Sequence, residues 1–336
     1  MTVVGPFGLS MRDQALEADV QTGLAAVEAG LLDATKSDVA FINEASQHLV
    51  RAGGKRFRPL LVLLAAQFGD PYAPGVVPSA VVVELTHLAT LYHDDVMDEA
   101  EVRRGVDSAN ARWDNSVAVL TGDFLFSRAS QILAELGPEA VRIQAEAFER
   151  LVTGQILETA GPRDGRDPVA HYLDVLSGKA GSLVAVSGRF GALMSGADER
   201  IVDILTQFGE RLGVAFQLAD DVLDIASESH ESGKTPGTDL REGIPTLPVL
   251  LLRARAEKLA DPDDVQLVEL LASDLSDDAR HAEALRRLRA HPALQQAMDE
   301  AVRYATAARE TLAPLPECFA KSALTELCDA VVHRAG

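Results

Sequence analysis

Apolar residues recur at intervals of three and four along most of this chain, which is the spacing of one face of an α-helix. The segment 77–98 shows the pattern most clearly, because no Gly or Pro interrupts it after Pro78. The same spacing predicts further long helices over residues 114–136, 139–160, 198–228, 279–290, 294–313 and 318–334. Pro138 stands at the start of one of them, where its missing N–H removes no helical hydrogen bond.

Strand-like alternation is almost absent, and helix-breaking residues fall between the helical segments. They cluster near residues 69–75, 161–168 and 231–239. None of these connections is long or low in complexity, and no short repeat is evident. The pattern therefore predicts one all-α domain over residues 1–336, built as a bundle of long helices.

Composition and charge narrow the classes of partner. The chain has 336 residues, of which 47% are hydrophobic and 24% charged, as in ordinary globular proteins with a sizeable core. Its net charge of −20 argues against nucleic acid and against anionic lipid, both of which attract basic surfaces. On so acidic a chain, any local basic cluster stands out.

The cysteines and the N-terminus predict a cytoplasmic protein. Cys318 and Cys328 are the two cysteines, no CxxC is present, and a reducing compartment therefore fits. The N-terminal residues lack a basic region followed by an apolar stretch, so they do not resemble a signal peptide. The apolar runs are shorter than the roughly 20 residues that a membrane span needs.

Two acidic motifs, far apart in the chain, share one spacing. "HDDVMD" contains Asp94, Asp95 and Asp98, and "FQLADDVLD" repeats the pattern with aspartates at 220, 221 and 224. Residues i and i+4 of a helix lie on one face, so each motif directs two carboxylates the same way. Each also follows an apolar helical run, and the dipole at a helix C-terminus disfavours negative charge.

Two clusters of this kind, facing each other, predict a bound cation between them. Carboxylates without His or Cys suit a hard ion, above all Mg²⁺, which usually combines one or two carboxylates with substrate phosphates. A solvated acidic helix end is the alternative explanation for a single motif, but it explains two such motifs poorly.

Basic residues that suit a diphosphate accompany the acidic motifs. "GGKRFRP", residues 53–59, contains Lys55, Arg56 and Arg58 just before an apolar helix, and Arg103 and Arg104 follow the first aspartates. Flexible glycines let backbone N–H groups approach phosphate oxygens at a helix N-terminus. Arginine forks match phosphate oxygens in a bidentate manner.

Together these motifs resemble, in order and spacing, those of the trans-isoprenyl diphosphate synthases, also called polyprenyl synthetases. The resemblance runs from about residue 40 to residue 255 and includes "GKTPGTDLREGIPTLP" after the second aspartates. It implies the isoprenoid synthase fold, with helices around a central cavity, and a homodimer. Such enzymes join isopentenyl diphosphate head to tail to an allylic diphosphate.

The resemblance also implies roles for individual residues. Asp94 and Asp98 would bind two Mg²⁺ ions and Asp220 a third, which makes three ions with the allylic diphosphate bound. Asp95, Asp221 and Asp224 would support those ligands. Direct contacts to the allylic diphosphate would come from Arg103, Lys179 and Lys234. The diphosphate of isopentenyl diphosphate would be held by Gly54, Lys55, Arg58, His87 and Arg104. Gln217 would lie close to the reacting carbons.

Three positions depart from the pattern of the family. Ile244 stands where lysine is frequent, Ala180 where Thr or Ser is frequent, and Thr238 where a second lysine is common. These changes predict weaker closure of the site, but activity should survive because Lys234 is kept.

Product length is expected to depend on the helix that carries the first motif. Ala89 lies five residues before Asp94, roughly 7 Å along the helix. Alanine leaves a passage for the growing chain, which Leu85 and Thr86 would line further down, whereas a Phe or Tyr would block it. The expected product is geranylgeranyl diphosphate or longer. Alanine as a simple packing residue remains the alternative.

Other functions fit the motifs less well. A terpene cyclase has the first aspartate motif but usually replaces the second and has no need for "GGKRFRP". A noncatalytic or regulatory subunit of a heteromeric synthase typically loses an aspartate motif, and squalene-type coupling needs no isopentenyl site. Activity with isopentenyl diphosphate separates all three from the main interpretation.

Overall fold

The computed structural model describes residues 13–227 and 236–333, and they form an almost entirely helical structure. The α-helices are α1 Gln14–Ala34, α2 Ala40–Arg51, α3 Phe57–Ala66, α4 Val76–Met97, α5 Ala109–Arg112, α6 Asn115–Leu136, α7 Pro138–Ala160, α8 Pro168–Leu176, α9 Ser182–Met194, α10 Glu199–Ala226, α11 Thr238–Arg241, α12 Leu247–Leu259, α13 Pro262–Leu271, α14 Asp278–Arg289, α15 Pro292–Thr311 and α16 Phe319–His333. A π-helical turn, Ser177–Gly181, joins α8 to α9. Extended structure within these residues is limited to a short antiparallel pair, β1 Val102–Arg103 and β2 Val106–Asp107.

The all-α prediction is confirmed, and each predicted helix is present within a few residues of its expected bounds. Side-chain caps explain several of the starts. Asp114 accepts a hydrogen bond from the N–H of Val117 at 2.8 Å at the start of α6, and Asp167 accepts one from Ala170 at the start of α8. Pro138 begins α7, as its position in the sequence predicts.

The chain divides into two compact units. The first comprises the described residues up to Glu149 together with Leu183–Gly209 and Thr311–Thr325. Its central helix is α4, which packs against α1, α3 and α6 and is buried on nearly all sides. The phenol of Tyr92 donates a hydrogen bond to the carbonyl of Ala45 at 2.6 Å and therefore fastens α4 to α2. The first aspartate motif thus stands at the end of a rigid, apolar helix.

The second unit comprises Arg150–Ser182, Glu210–Glu310 and the residues from Glu326 onward. Its apolar core includes Ile225 of α10, Leu252 of α12 and Leu288 of α14, all of them fully buried. Within this unit the buried Asp264 binds Arg255 at 2.8 Å and His291 at 3.0 Å. The second aspartate motif lies on α10, directly beside this core.

Among the described helices, none combines the length and the apolar character that crossing a membrane requires.

Candidate active site

The first aspartate motif ends α4. Asp94 and Asp95 lie in the last turn, and the N–H of Asp98 donates to the carbonyl of Asp94 at 2.8 Å as the helix terminates. The three side chains differ in exposure, because Asp94 is half-buried, Asp98 is exposed and Asp95 is 0% exposed. The middle carboxylate is therefore turned into the protein, away from the other two.

Asp95 is held by Arg103, which the short β-hairpin returns to the end of α4. Nε of Arg103 donates to Oδ1 of Asp95 at 2.5 Å. Oδ2 of Asp95 is buried and has no hydrogen-bond partner among the described residues. Burial raises the pKa of Asp95, and the positive charge of Arg103 opposes that rise. Arg103 thus supports the motif, and its contact with an allylic diphosphate remains a prediction.

The second aspartate motif repeats this arrangement within the other unit. Asp220 and Asp224 on α10 are half-buried, whereas Asp221 is buried. Both oxygens of Asp221 are hydrogen-bonded, since the phenol of Tyr172 donates to Oδ2 and Nε2 of Gln217 donates to Oδ1 at 2.8 Å. Burial raises the pKa of Asp221 to about 7, although both hydrogen bonds act to lower it.

Asp224 organises the chain that returns to the motif. Its carboxylate accepts hydrogen bonds from the N–H groups of Thr238 and Asp239, each at 3.2 Å, and its carbonyl accepts one from Gly237 at 2.7 Å. Asp224 thus binds backbone groups of α11, and its predicted role in supporting the metal ligands remains a prediction. The amide of Gln217, which was expected beside the reacting carbons, donates its hydrogen bond to Asp221.

Each unit contains carboxylates of the kind that a hard divalent ion prefers. Asp94 and Asp98 in the first unit, and Asp220 in the second, keep partial exposure, while the middle aspartate of each motif is held by protein side chains. Within residues 13–227 and 236–333, no three side chains of His, Cys, Asp or Glu form a metal-binding cluster by themselves. Mg²⁺ and Ca²⁺ commonly complete their coordination with water and substrate phosphate, so an incomplete protein cage suits them.

The basic segment before α3 forms a tightly wound loop. Gly53, Gly54 and Arg56 all have positive φ values, of 85°, 151° and 51°. A Cβ atom on Gly54 would lie 2.9 Å from the guanidinium of Arg104, and a side chain at its φ of 151° would be strained, so glycine suits this position. Nη1 of Arg104 donates to the carbonyls of Gly53 and of Leu49, the latter at 3.2 Å. The loop and Arg104 therefore form one hydrogen-bonded assembly, and its role in binding isopentenyl diphosphate remains a prediction.

The two arginines of "GGKRFRP" have different surroundings. Arg56 is 6% exposed and forms ion pairs with Glu28 and with Glu84, the latter at 2.9 Å. Nε of Arg58, by contrast, is buried without a hydrogen-bond partner among the described residues. An unpaired buried N–H is costly unless a ligand completes it, so Arg58 is the better candidate for binding an anion.

His87 and Lys55 complete this group in the first unit. Burial, Arg58 and Arg104 hold the pKa of His87 well below its ordinary value, so its imidazole is neutral near pH 7. A neutral imidazole still offers one N–H donor to a phosphate oxygen. Lys55 is exposed at the edge of the loop.

Lys179 stands in the π-helical turn of the second unit. Its Nζ pairs with Glu158 of α7 at 2.6 Å. A Cβ atom on Gly154 would lie 2.7 Å from the backbone nitrogen of Lys179, so glycine at this position permits α7 to pack tightly against the turn. Single π-helical turns are frequent at functional sites, and this one interrupts an otherwise continuous helix. The role of Lys179 toward the allylic diphosphate remains a prediction.

The remaining predicted residues are placed as follows. Leu85, Thr86 and Ala89 are buried on α4. Ile244 is exposed and Ala180 half-buried. Lys234 lies outside the described residues, as does the predicted extension of the helices to residues 228 and 334.

Sequence reasoning missed three polar residues that shape these groups. Tyr172 precedes Lys179 by seven residues, or two helical turns. This spacing puts both residues on one face of a helix and could have identified Tyr172 as a candidate site residue. Glu84 was visible as the lone charge within the apolar segment 77–93 of α4. Gln144 of α7 donates to Oγ1 of Thr86 at 2.8 Å, and nothing in its local sequence indicated this contact.

An all-α protein with two paired-carboxylate motifs, each with a buried middle aspartate, and a glycine-framed arginine cluster belongs to the class of isoprenoid synthases. Comparison with known proteins names the family. Residues 39–288 match the polyprenyl synthetase family, and the chain belongs to it. It is a prenyltransferase that forms polyprenyl diphosphates.

Three relatives illustrate the similarity. The nonaprenyl diphosphate synthase of Mycobacterium tuberculosis is 47% identical over 98% of this chain and 97% of its own. A geranylgeranyl pyrophosphate synthase from Corynebacterium glutamicum, solved with calcium and isoprenyl diphosphate, is 46% identical with a TM-score of 0.85 over 96% and 98% of the two chains. A polyprenyl synthase from Caulobacter crescentus, solved with the same ligands, is 35% identical with a TM-score of 0.88 over 98% and 99%.

Proposed function

We propose that this enzyme condenses isopentenyl diphosphate with an allylic diphosphate, head to tail and with Mg²⁺, to give an all-trans product of geranylgeranyl length or longer. The observation that carries the proposal is the buried, unpaired Nε of Arg58 beside His87 and Arg104. This group offers N–H donors to a diphosphate from protein side chains alone, which suits an isopentenyl site that uses no metal ion. A cyclase has no use for it.

The aspartate motifs would serve the other substrate. Asp94, Asp98 and Asp220 would hold three Mg²⁺ ions against the allylic diphosphate, supported by Asp95, Asp221 and Asp224. The two solved relatives named above contain calcium with isoprenyl diphosphate, which is consistent with a divalent ion in this family. Bound Mg²⁺ would neutralise the negative charge that develops on the departing diphosphate.

The protein side chains then have two tasks. Arg103, Lys179 and Lys234 would add fixed positive charge around the allylic diphosphate, which favours cleavage of the C–O bond. The isopentenyl double bond attacks the resulting carbocation, and Gln217 would lie near the reacting carbons. The proton lost afterwards passes to the departed diphosphate, so no side chain is required as a base.

Product length is proposed from Ala89 rather than from overall similarity. The relatives that are 47% and 46% identical carry names that imply different lengths, nonaprenyl and geranylgeranyl. Identity at this level therefore does not decide the length, and a local feature must. Ala89 is small and lies below the first motif on α4, which favours a product beyond farnesyl, with Leu85 and Thr86 lining the passage further down.

The remaining parts of the proposal concern assembly and location. We infer a homodimer from the resemblance to the family, and the exposed apolar side chains of Val119 and Leu120 on α6 are surface that such an interface would cover. We also infer that residues 1–336 act as one catalytic domain, since no long linker divides the helical pattern. A cytoplasmic location is inferred because the two cysteines show no disulfide framework.

The test is incubation of the purified protein with isopentenyl diphosphate, Mg²⁺ and farnesyl or geranylgeranyl diphosphate, with the products sized by chromatography. A ladder that extends beyond geranylgeranyl is the expected result. With geranyl diphosphate as the primer instead, a product that stops at farnesyl would overturn the proposed length but leave the condensation. Complete absence of condensation would overturn the proposal and favour a regulatory subunit or a cyclase.

A further inference from the structure

Glu84 is a carboxylate buried among arginines in the first unit. It lies on α4, ten residues before Asp94, and is 2% exposed. Its Oε1 lies 2.9 Å from Nη1 of Arg56 and 3.7 Å from Nη2 of Arg104. Glu84 therefore bridges two arginines that come from separate segments of the chain.

Both arginines hold the same loop. Nη1 of Arg56 donates to the carbonyl of Gly53 at 3.4 Å, and Nη1 of Arg104 donates to that same carbonyl. Nη2 of Arg56 also donates to the carbonyl of Val50 at 3.1 Å. The two guanidinium groups thus fix the end of α2 and the glycine turn that leads to Arg58. Glu84 is the side chain that keeps both of them in place.

The charges around Glu84 would otherwise repel each other. Burial and Arg104 lower the pKa of Arg58, and the charge of Glu84 opposes that change. The pKa of Arg104 is likewise lowered by burial and by Arg56, and Glu84 again acts in the opposite direction. Without this carboxylate, Arg104 would repel both Arg56 and Arg58 in a poorly solvated space, and Glu28 beside Arg56 would be the remaining partner.

We propose that Glu84 is a positioning residue for isopentenyl diphosphate. It does not touch the substrate, but it orients Arg104 and the loop of Gly53 and Gly54, and so it aligns Arg58 and His87 with the diphosphate. His87 lies three residues after Glu84, on the same face of α4, which ties the carboxylate to the site through one rigid helix. The inference rests on the proposed function, since it assigns the substrate that this site binds.

If Glu84 acted only through its negative charge, neutralising it would change the binding of diphosphate in the opposite direction. If Glu84 only diluted the positive potential, its neutralisation would strengthen the binding of a diphosphate. If Glu84 positions the cations, neutralisation frees the arginines to repel each other, and binding weakens. The direction of the change in KM therefore decides between the two.

The experiment uses Glu84→Gln, which keeps the size of the side chain and removes the charge, with Glu28→Gln as the matched control. Glu28 also binds Arg56, but its side chain is 43% exposed, and its charge acts on Arg104 more weakly than that of Glu84. KM for isopentenyl diphosphate is measured at saturating allylic substrate, and KM for the allylic substrate at saturating isopentenyl diphosphate.

We expect Glu84→Gln to raise the KM for isopentenyl diphosphate by about tenfold or more, the scale of one lost charged hydrogen bond. KM for the allylic substrate should change by less than about threefold, and Glu28→Gln should have a smaller effect on both. Glu84→Asp, which keeps the charge, should fall between the wild type and the Gln variant. This separation is the result that a general loss of packing would not produce.

An unchanged or lowered KM for isopentenyl diphosphate, or equal increases for both substrates, would overturn the inference. Should Glu84→Gln fail to fold, Glu84→Asp decides by the same two KM values. An inactive wild type would overturn the proposed function instead, so the two failures are distinguishable.

Discussion

The phenol of Tyr172 donates a hydrogen bond to Oδ2 of the buried Asp221. Tyr172 lies seven residues before Lys179 on the same stretch of helix. The contact has a counterpart in the first unit, where Nε of Arg103 binds the buried Asp95. In each motif a side chain from elsewhere in the sequence fixes the middle carboxylate. The first and third aspartates of each motif are then presented from a rigid base.

Replacement of Tyr172 by Phe tests this support. The variant keeps the ring but removes the O–H donor, so one oxygen of Asp221 loses its partner in a buried position. We expect kcat to fall by about tenfold and the Mg²⁺ concentration for half-maximal rate to rise, because the motif is less well ordered. Steady-state rates over a Mg²⁺ titration measure both effects.

The control is Tyr72→Phe. In the wild type, the phenol of Tyr72 is exposed and hydrogen-bonds the carboxylate of Asp19. The kinetics of this variant should match the wild type. If Tyr172→Phe also matched the wild type, the hydrogen bond to Asp221 would have no role in metal use.

Asp221 should also make stability depend on pH. Its pKa in the folded protein is about 7, above its ordinary value of 3.8, so folding favours the protonated form. This contribution is fully present below about pH 4 and is lost as the pH rises through about 7. The metal-free protein should therefore gain stability at pH 8 when Asp221 is replaced by Asn, which carries no charge.

Thermal unfolding at pH 5 and pH 8 checks this expectation. The increase in Tm from Asp221→Asn should be larger at pH 8, with an upper limit of about 4 kcal/mol set by the difference between the two pKa values. The same variant should lose activity. An increase in Tm that is equal at both pH values would contradict a titrating Asp221.

Mg²⁺ should bind well only together with a diphosphate. Mg²⁺ usually combines one or two carboxylates with substrate phosphates, and each aspartate motif offers carboxylates of that kind. We expect Mg²⁺ alone to raise Tm little, and Mg²⁺ with inorganic pyrophosphate to raise it clearly more than pyrophosphate alone. EDTA should reverse the increase. A full increase with Mg²⁺ alone would indicate a preformed metal site instead.

Ala89→Phe tests the determinant of product length. Ala89 is fully buried on α4, so the ring would project into the predicted passage and shorten the product toward farnesyl. Overpacking should also reduce stability by about 1–3 kcal/mol. Ala301→Phe, at another fully buried alanine, is the control for this second effect and should leave product length unchanged. Products of wild-type length from Ala89→Phe would identify Ala89 as a simple packing residue.

The two cysteines should react very differently with a thiol reagent. Cys318 is exposed, whereas Cys328 is buried and burial raises the pKa of its thiol to about 12. A colorimetric disulfide reagent at pH 8 should therefore label one thiol in the native protein and two in denaturant. Rapid labelling of both in the native protein would show that α16 opens readily.

Much of the fold could be predicted because helical periodicity is a local property. The spacing of apolar residues in 77–98 alone indicates α4, and Pro138 marks the start of α7. The motifs were equally visible, since each is contiguous in the chain. The hairpin at Val102–Asp107 was not predicted, because its strands have two residues each and show no usable alternation.

The amino-acid sequence by itself determined the helices, the two aspartate triplets and the basic loop, because each depends on residues within one or two helical turns of one another. Only the tertiary structure decided which member of each set is buried and which side chains it binds. Arg56 and Arg58 are chemically identical and two residues apart, yet one is enclosed by Glu28 and Glu84 while the other has an unpaired Nε. Burial and distant partners separate them, and neither is encoded in the local pattern.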